Sequence, residues 1–337
     1  MFDNIDKATE RRILRYVFAV GTSSFIAIWF NWPLAFCAPL FTAKFMVDKP
    51  HFTRLHILQL LFALVASFAV SLVVSTGLPE YKIAFLVIYA GGLLWGYYLI
   101  TDPKWQMFAT FWIINLILTP SVTTIDQGMA LDIGFGMAFS GVLAVLLCFI
   151  GHVYFPEQNV QAMDNFPPSP LPDDMRWSAS LQALMVSFPL VVFYFYYQLS
   201  QVLLTVAFVI LLSLLTNADK AGKTSVFFVL SNIVGGLVAF VAFMVISIVP
   251  NMFVYMLVVL LVIILFATKI YTDPAKVPVF TTGFTGFIVL MGTSMSSGAL
   301  DDKFFLRIWQ LLLVIVYLVF MAYFMEGRSK TKTKAKT

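Results

Sequence analysis

Long apolar runs, cut by short breaks that carry charge or turn residues, follow one another along the whole chain. They lie at roughly 14–30, 32–47, 56–76, 82–100, 104–124, 131–153, 177–197, 199–216, 225–249, 252–270, 277–296 and 304–325. A membrane-crossing helix needs about 20 mostly apolar residues, because the hydrocarbon layer is roughly 30 Å thick and a helix rises about 1.5 Å per residue. The runs have that length and lack the strict alternation of a transmembrane barrel. The pattern predicts an all-α membrane protein with about twelve transmembrane helices, with ten as the alternative count. Each break has a physical reason to be one: Gly77-Leu78-Pro79-Glu80, Asp102-Pro103-Lys104, Asp219-Lys220, Pro250-Asn251 and Asp273-Pro274 are turn or charge clusters. The second run is short, follows the turn Asn31-Trp32-Pro33 and holds Pro33 and Pro39, so a kinked or partly re-entrant segment is expected there.

Composition agrees. Of 337 residues, 61% are apolar and only 11% are charged, and the mean hydropathy is +0.91. A soluble domain carries about 25% charged residues because its surface must face water. The basic segment Lys7, Arg11, Arg12 and Arg15 leads into an apolar run without a small-residue cleavage site, so no cleaved signal peptide is expected. Cys37 and Cys148 both sit inside apolar runs, which suits buried hydrophobes better than a disulfide or a metal site. No phosphate-binding loop or soluble nucleotidase domain is readable, so transport driven by ATP within this chain is excluded. No cofactor is expected, and no enzymatic activity.

The net charge of +4 points to membrane orientation, not to nucleic acid. With the N-terminus inside, only Lys82, Lys303 and Arg307 of the 21 basic residues fall on the outer side. The rest cluster in inner loops and in the tail of Arg328, Lys330, Lys332, Lys334 and Lys336. Basic loops stay cytoplasmic, so both termini are expected in the cytoplasm of an inner-membrane protein.

The chain also repeats. Asp48-Lys49 returns as Asp219-Lys220 and Thr101-Asp102-Pro103 as Thr272-Asp273-Pro274, both at an offset of 171. Ala130-Leu131-Asp132 returns as Ala299-Leu300-Asp301 at 169, and Thr119-Pro120-Ser121 lines up with Gly292-Thr293-Ser294 at 173. Six spans per copy is an even number, so the copies enter the membrane in the same direction and form parallel repeats. The expected organisation is a first six-helix repeat over 1–155, a cytoplasmic Pro-rich linker over 156–176, a second repeat over 177–326 and a basic tail over 327–337.

Several features together are similar to a known group. Arg11-Arg12-x-x-Arg15 opens the first span, Trp32-Pro33 opens a second span holding Ala38-Pro39, and the last span of each half reads Asp, a small or basic residue, then a long apolar run. In these the chain resembles the fusaric-acid-resistance and aromatic-acid-exporter clan, in its compact branch without a large soluble domain. The resemblance implies an inner-membrane efflux component for small organic, mainly aromatic, acids, with a periplasmic adaptor protein as a partner beside the lipid bilayer and a second copy of itself. Distant plant relatives are anion channels. The larger exporters carry soluble regions that are missing here, which leaves adaptor use and energy coupling open.

Candidate site residues each have two readings. The fifth and eleventh spans are interrupted by small or helix-breaking residues in both halves, a mark of midplane sites in transporters. The fifth holds Asn115, Thr119, Pro120 and Ser121; the eleventh holds Thr282, Gly283, Gly286, Gly292, Thr293 and Ser294. Asn115, Thr119, Ser121, Thr293 and Ser294 are thus candidate substrate contacts, and close helix packing through small residues is the alternative. Arg307, just inside the twelfth span, could bind a carboxylate with its planar fork, snorkel to the interface, or pair with Asp132, Asp301 or Asp302. Asp102, Asp132, Asp273 and Asp301 are candidates for proton coupling. For Asp102 and Asp273, each followed by Pro, capping the start of the next helix is the competing role. Asn232 is read as bonding across helices. His51, His56 and His152 show no ligand spacing and suit solvated or capping roles. A membrane-embedded enzyme acting on lipid intermediates is a further alternative; it would gather His, Asp or Glu at one interface, and no such cluster is readable.

Overall fold

The computed structural model describes residues 6–48, 54–75, 81–102, 105–123, 127–156, 172–197 and 218–295. These residues are all-helical, with no strand among them. The helices are α1 (Lys7–Phe30), α2 (Cys37–Asp48), α3 (Arg54–Ser75), α4 (Lys82–Ile100), α5 (Gln106–Thr123), α6 (Gln127–Tyr154), α7 (Asp173–Tyr197), α8 (Ala218–Ile248), α9 (Met252–Thr272) and α10 (Val277–Met295), with a 3-10 turn at Pro274–Lys276. Each falls on one of the apolar runs. Runs 199–216 and 304–325 lie outside the described residues, as do most of the Pro-rich linker and the basic tail.

Among the described residues, five helices are long and apolar enough to cross a membrane, by the stretches Lys7–Phe30, Ile83–Ile100, Leu131–Tyr154, Asp173–Phe193 and Met252–Thr272. Their outward positions carry large apolar side chains such as Ile83, Val87, Phe135 and Leu261, all exposed. In water such faces would associate. In lipid they are solvated, and the chain needs no polar outer face.

Several helices outrun their apolar stretches. The first begins at Lys7, the seventh at Asp173 and the eighth at Ala218, earlier than the runs beginning near 14, 177 and 225. The added turns are polar, and Asp173 and Asp174 stand in the first turn of α7, where carboxylates favour the exposed N–H end of the helix. The linker expected to reach 176 therefore ends by Pro172.

The second run departs from a regular span in the expected way. Its helix has only 12 residues, a rise of about 18 Å, and Pro39 sits in its first turns, where a missing N–H costs little. Asn31, at φ 43°, ends α1 in the left-handed conformation, its N–H donating to the Ala27 carbonyl at 3.0 Å. Leu34, at φ 58°, turns the chain into α2. The Trp32-Pro33 turn seats on α6 at Gly136, where a side chain would run into the Pro33 carbonyl. Beside it the Trp32 indole N–H donates to Ser140 Oγ at 2.9 Å.

The chain divides into two compact units. The first comprises Met1–Leu61, Phe135–Phe166 and Leu230–Arg307, and the second Phe62–Gly134, Pro167–Val229 and Ile308–Thr337. In the first, α1 packs on α2 and α9, and α10 packs on α2 and α9. Tyr16 meets Tyr271 of α9 edge-on at 5.9 Å and Phe284 of α10 at 6.0 Å. Helices α8 and α10 cross where Gly235 lies on the Gly283 backbone. Apolar burial drives little association inside a bilayer, so close backbone approach supplies dispersion contact instead.

In the second unit α4 packs on α5 and α7. Phe85, Tyr89, Leu93 and Tyr97 recur every fourth residue on the buried face of α4. Phe108, Trp112, Ile113 and Leu116 of α5 and Ala183 and Val191 of α7 meet them. Gly92 and Gly96 admit α5: a side chain at Gly96 would stand 2.7 Å from Ile113 Cγ1, and the Trp112 indole N–H reaches the Gly92 carbonyl at 2.9 Å.

Candidate functional site

The polar groups buried in this apolar fold are few, and two arginines lead them. Arg15 is 2% exposed and Arg176 is 8% exposed. A guanidinium cannot shed its charge, so burial in a membrane helix is costly unless the site supplies compensating groups or a ligand does.

Arg176 is held from several directions inside the second unit. It lies in the first turn of α7, and α4 presents the end of its last turn to it. Its Nε donates to Thr101 Oγ1 at 3.0 Å and its Nη2 to the Tyr98 carbonyl at 3.1 Å. The guanidinium carbon stands 4.1 Å from the centre of the Tyr98 ring. The Asp102 carboxylate is 3.9 Å away and the Asp173 carboxylate 3.4 Å. The Tyr98 hydroxyl donates to Asp173 at 3.1 Å and closes the ring of contacts. Chemically this is a clamp between two helix ends, and it spends the guanidinium on protein groups.

Arg15 is set deeper, on α1 among α2 and α6 of the first unit. Its stem lies 3.5 Å from where a side chain on Gly151 would begin, a position that also faces Met46. Nη1 reaches the Phe155 carbonyl, just past the end of α6, at 3.5 Å, the outer limit of hydrogen-bond length. Further polar groups lie along the same helices. Thr42 Oγ1 donates to the Ala38 carbonyl at 2.8 Å and approaches Ser23 Oγ at 3.2 Å. Cys148 Sγ approaches the Thr42 carbonyl at 3.7 Å, and His152 Nδ1 lies 2.8 Å from the Cys148 carbonyl. The Tyr16 hydroxyl is buried and makes no hydrogen bond among the described residues. Such a group costs about 1–3 kcal/mol when left dry.

Most of the residues singled out by sequence fall, in whole or in their side chains, outside the described residues. Asn115 is buried on α5 in the second unit. The backbones of Thr119 and Ser121 on α5, and of Thr293 and Ser294 on α10, are helical, and their side chains lie outside the described residues, as does that of Asn232. Asp301 and Arg307 lie outside altogether. Asp132 is exposed on α6. On α10, Gly283 and Gly292 are consumed by packing: Gly283 faces the Ser231 carbonyl and Gly235 of α8, and Gly292 faces Phe36.

Of the two Asp-Pro sites, Asp273 departs from the capping expectation. Asp273 makes no side-chain hydrogen bond to the 3-10 turn that follows it; its carboxylate pairs with Lys276 at 2.9 Å. A lysine three residues on competes for the carboxylate and wins. At Asp102 the turn is closed by its backbone carbonyl, which accepts from the Trp105 N–H at 3.0 Å, while the carboxylate faces Arg176. Asp273→Asn is therefore expected to change stability by less than about 0.5 kcal/mol, as for other exposed pairs. Asp102→Asn, facing a buried cation, is expected to lower the melting temperature measurably more.

Sequence reasoning set Arg15 in the basic segment at the start of the first span, whereas the structure buries it. The signal was its place: it lies one turn deeper than Arg11 and Arg12 in a helix that begins at Lys7.

Residues 12–150 match a family model described as a protein of unknown function (DUF2955). No curated protein matches the chain, and no solved structure matches it.

Proposed function

We propose that this chain is an inner-membrane transporter that exports small organic acids, aromatic ones above all, driven by the proton gradient. The observation that carries the reading is Arg15: a permanent cation 2% exposed within a helix long and apolar enough to cross a membrane. Buried intramembrane charge marks a solute path more often than a scaffold. A guanidinium also favours a carboxylate, which it can bind through two parallel hydrogen bonds. The resemblance to aromatic-acid exporters supplies the substrate class, and a periplasmic adaptor protein belongs to the same reading.

The architecture in this proposal is twelve spans in two parallel six-helix repeats, with both termini cytoplasmic. The matched stretch 12–150 supports it, since it runs from α1 to near the end of α6 and so nearly fills the first repeat. Packing supports it too. The pair α1–α9 in one unit corresponds under the repeat to the pair α7–α4 in the other. Buried Tyr16, Ala19, Ser23 and Ala27 of α1 fall on buried Ser180, Ala183, Ser187 and Val191 of α7 at a constant offset of 164. The same offset carries Arg12 onto Arg176.

The test is flux. In vesicles holding the purified full chain, an inward-acid pH gradient should drive uptake of a labelled aromatic carboxylate against its concentration, and collapsing the gradient should abolish it. Downhill flux insensitive to the gradient would make the protein an anion channel, and no flux of any carboxylate would end the transport reading. Reporter fusions at Gly128 and Pro170 should read outside and inside respectively; the reverse pattern would overturn the orientation.

A further inference from the structure

We propose that a groove between α1 and α9 holds one acyl chain of an anionic phospholipid, with the lipid phosphate on Lys7 and Arg11. The groove has a volume of about 360 Å³ and is lined by Val17, Phe18, Gly21, Phe25, Leu257 and Leu260 among others. Gly21 makes it: a side chain there would begin 3.2 Å from Leu260 Cδ1 and close the gap. Phe18, Phe25, Leu257 and Leu260 are exposed on two helices long and apolar enough to cross a membrane, so the groove opens towards lipid. An unfilled gap there would forfeit the dispersion contacts of its walls, and the surrounding chains are the material at hand to fill it.

Charge selects the occupant. Lys7, Arg11, Leu14, Phe18, Gly21 and Phe25 follow one another at spacings of three or four, which puts both cations on the groove face of α1. Lys7 and Arg11 are exposed. At about 1.5 Å per residue, Gly21 lies about 15 Å along the helix from Arg11, the depth of one leaflet of a roughly 30 Å hydrocarbon layer. A phosphate at the cations with a chain running inward from it fits this spacing. A partner helix would fill the groove without needing the cations.

Native mass spectrometry of the purified full chain, titrated with phosphatidylglycerol and phosphatidylcholine of the same chain length, tests it. One phosphatidylglycerol should stay bound at concentrations where phosphatidylcholine does not. Lys7→Gln with Arg11→Gln should weaken that binding about fivefold per cation removed, from the roughly 1 kcal/mol each contributes at an anionic lipid surface. Leu257→Trp, which fills the groove from its exposed wall, should weaken both lipids. Equal retention of the two lipids by the unaltered protein overturns the proposal, and so does displacement by free glycerol phosphate. Unchanged phosphatidylglycerol binding in a folded Leu257→Trp protein would assign the lipid to the basic surface alone, and a lipid-free dimer would assign the groove to a second copy. Should Leu257→Trp fail to accumulate, the Lys7 and Arg11 arm decides.

Discussion

Cut between residues 157 and 171 and produced as two pieces in the same cell, this protein should assemble in the membrane, and either piece produced alone should be degraded. The expectation follows from how each compact unit is composed. The first unit takes Met1–Leu61 and Phe135–Phe166 from the first half and Leu230–Arg307 from the second, and the other unit takes the complementary segments. The first half alone therefore holds α1 and α2 without α9 and α10. Tyr16 would lose both Tyr271 and Phe284, and Gly21 would lose Leu260. The second half alone would keep Arg176 but lose Tyr98, Thr101 and Asp102, leaving a buried cation with Asp173 as its remaining carboxylate contact. Removing the partners of a buried charge costs about 3–5 kcal/mol, much of the 5–15 kcal/mol that keeps a typical protein folded. Immunoblots of membrane fractions, with protease resistance as the sign of folding, check the result. Stable, protease-resistant halves produced singly would mean that each repeat folds by itself, against the composition of the units.

That composition was not legible in the chain, although most of the helices were. Ten apolar runs coincide with helices because length and hydropathy answer one question, whether a segment can satisfy its backbone inside lipid. Partner choice is a different question. A helix apolar on all sides has no preferred face for hydropathy to reveal, so nothing in 14–30 or 252–270 says that α1 and α9 belong together. The traces of pairing lay in small residues: Gly21, Gly92, Gly96, Gly136 and Gly283 all mark close approaches. Those on the eleventh span carried two readings, openings for a solute or close packing, and Gly283 and Gly292 serve packing. At the Asp-Pro sites, charged partners add to what the local pattern shows. Locally they are good caps, and the cation that faces Asp102 arrives with Arg176, far along the chain. At Asp273 the competing charge is local, the lysine three residues on.

The two buried arginines should answer substitution in opposite ways. Arg176→Gln removes donors to Thr101 and Tyr98, the stacking on Tyr98 and the partner of Asp102. The pair with Asp173 adds little, since that carboxylate is largely exposed. With the buried contacts gone, the protein should accumulate poorly, and Arg176→Lys should not rescue it, because an ammonium cannot make the forked contacts or the stacking. Arg15 differs in position and in bonding. At the offset of 164 that superposes the buried faces of α1 and α7, it falls on Ala179, whereas Arg12 falls on Arg176. In the proposed two-repeat arrangement a scaffold feature needed by both copies would be kept in both, and a single buried cation fits a task performed once. Its Nη1 contact with the Phe155 carbonyl lies at the outer limit of hydrogen-bond length, and a carboxylate would make a shorter, charge-assisted bond to that nitrogen. Arg15→Gln should therefore leave protein level near normal and lower carboxylate flux about tenfold to a hundredfold, the equivalent of one charge-assisted hydrogen bond at 1.5–3 kcal/mol. Flux of an uncharged analogue should be spared, since it loses no charge-paired contact, and Arg15→Lys should recover part of the carboxylate flux. Measuring protein level and flux in the same vesicles separates the roles. If Arg15→Gln protein fails to accumulate, the cation braces α1 against α6, and the case for a carboxylate path loses the residue that carries it.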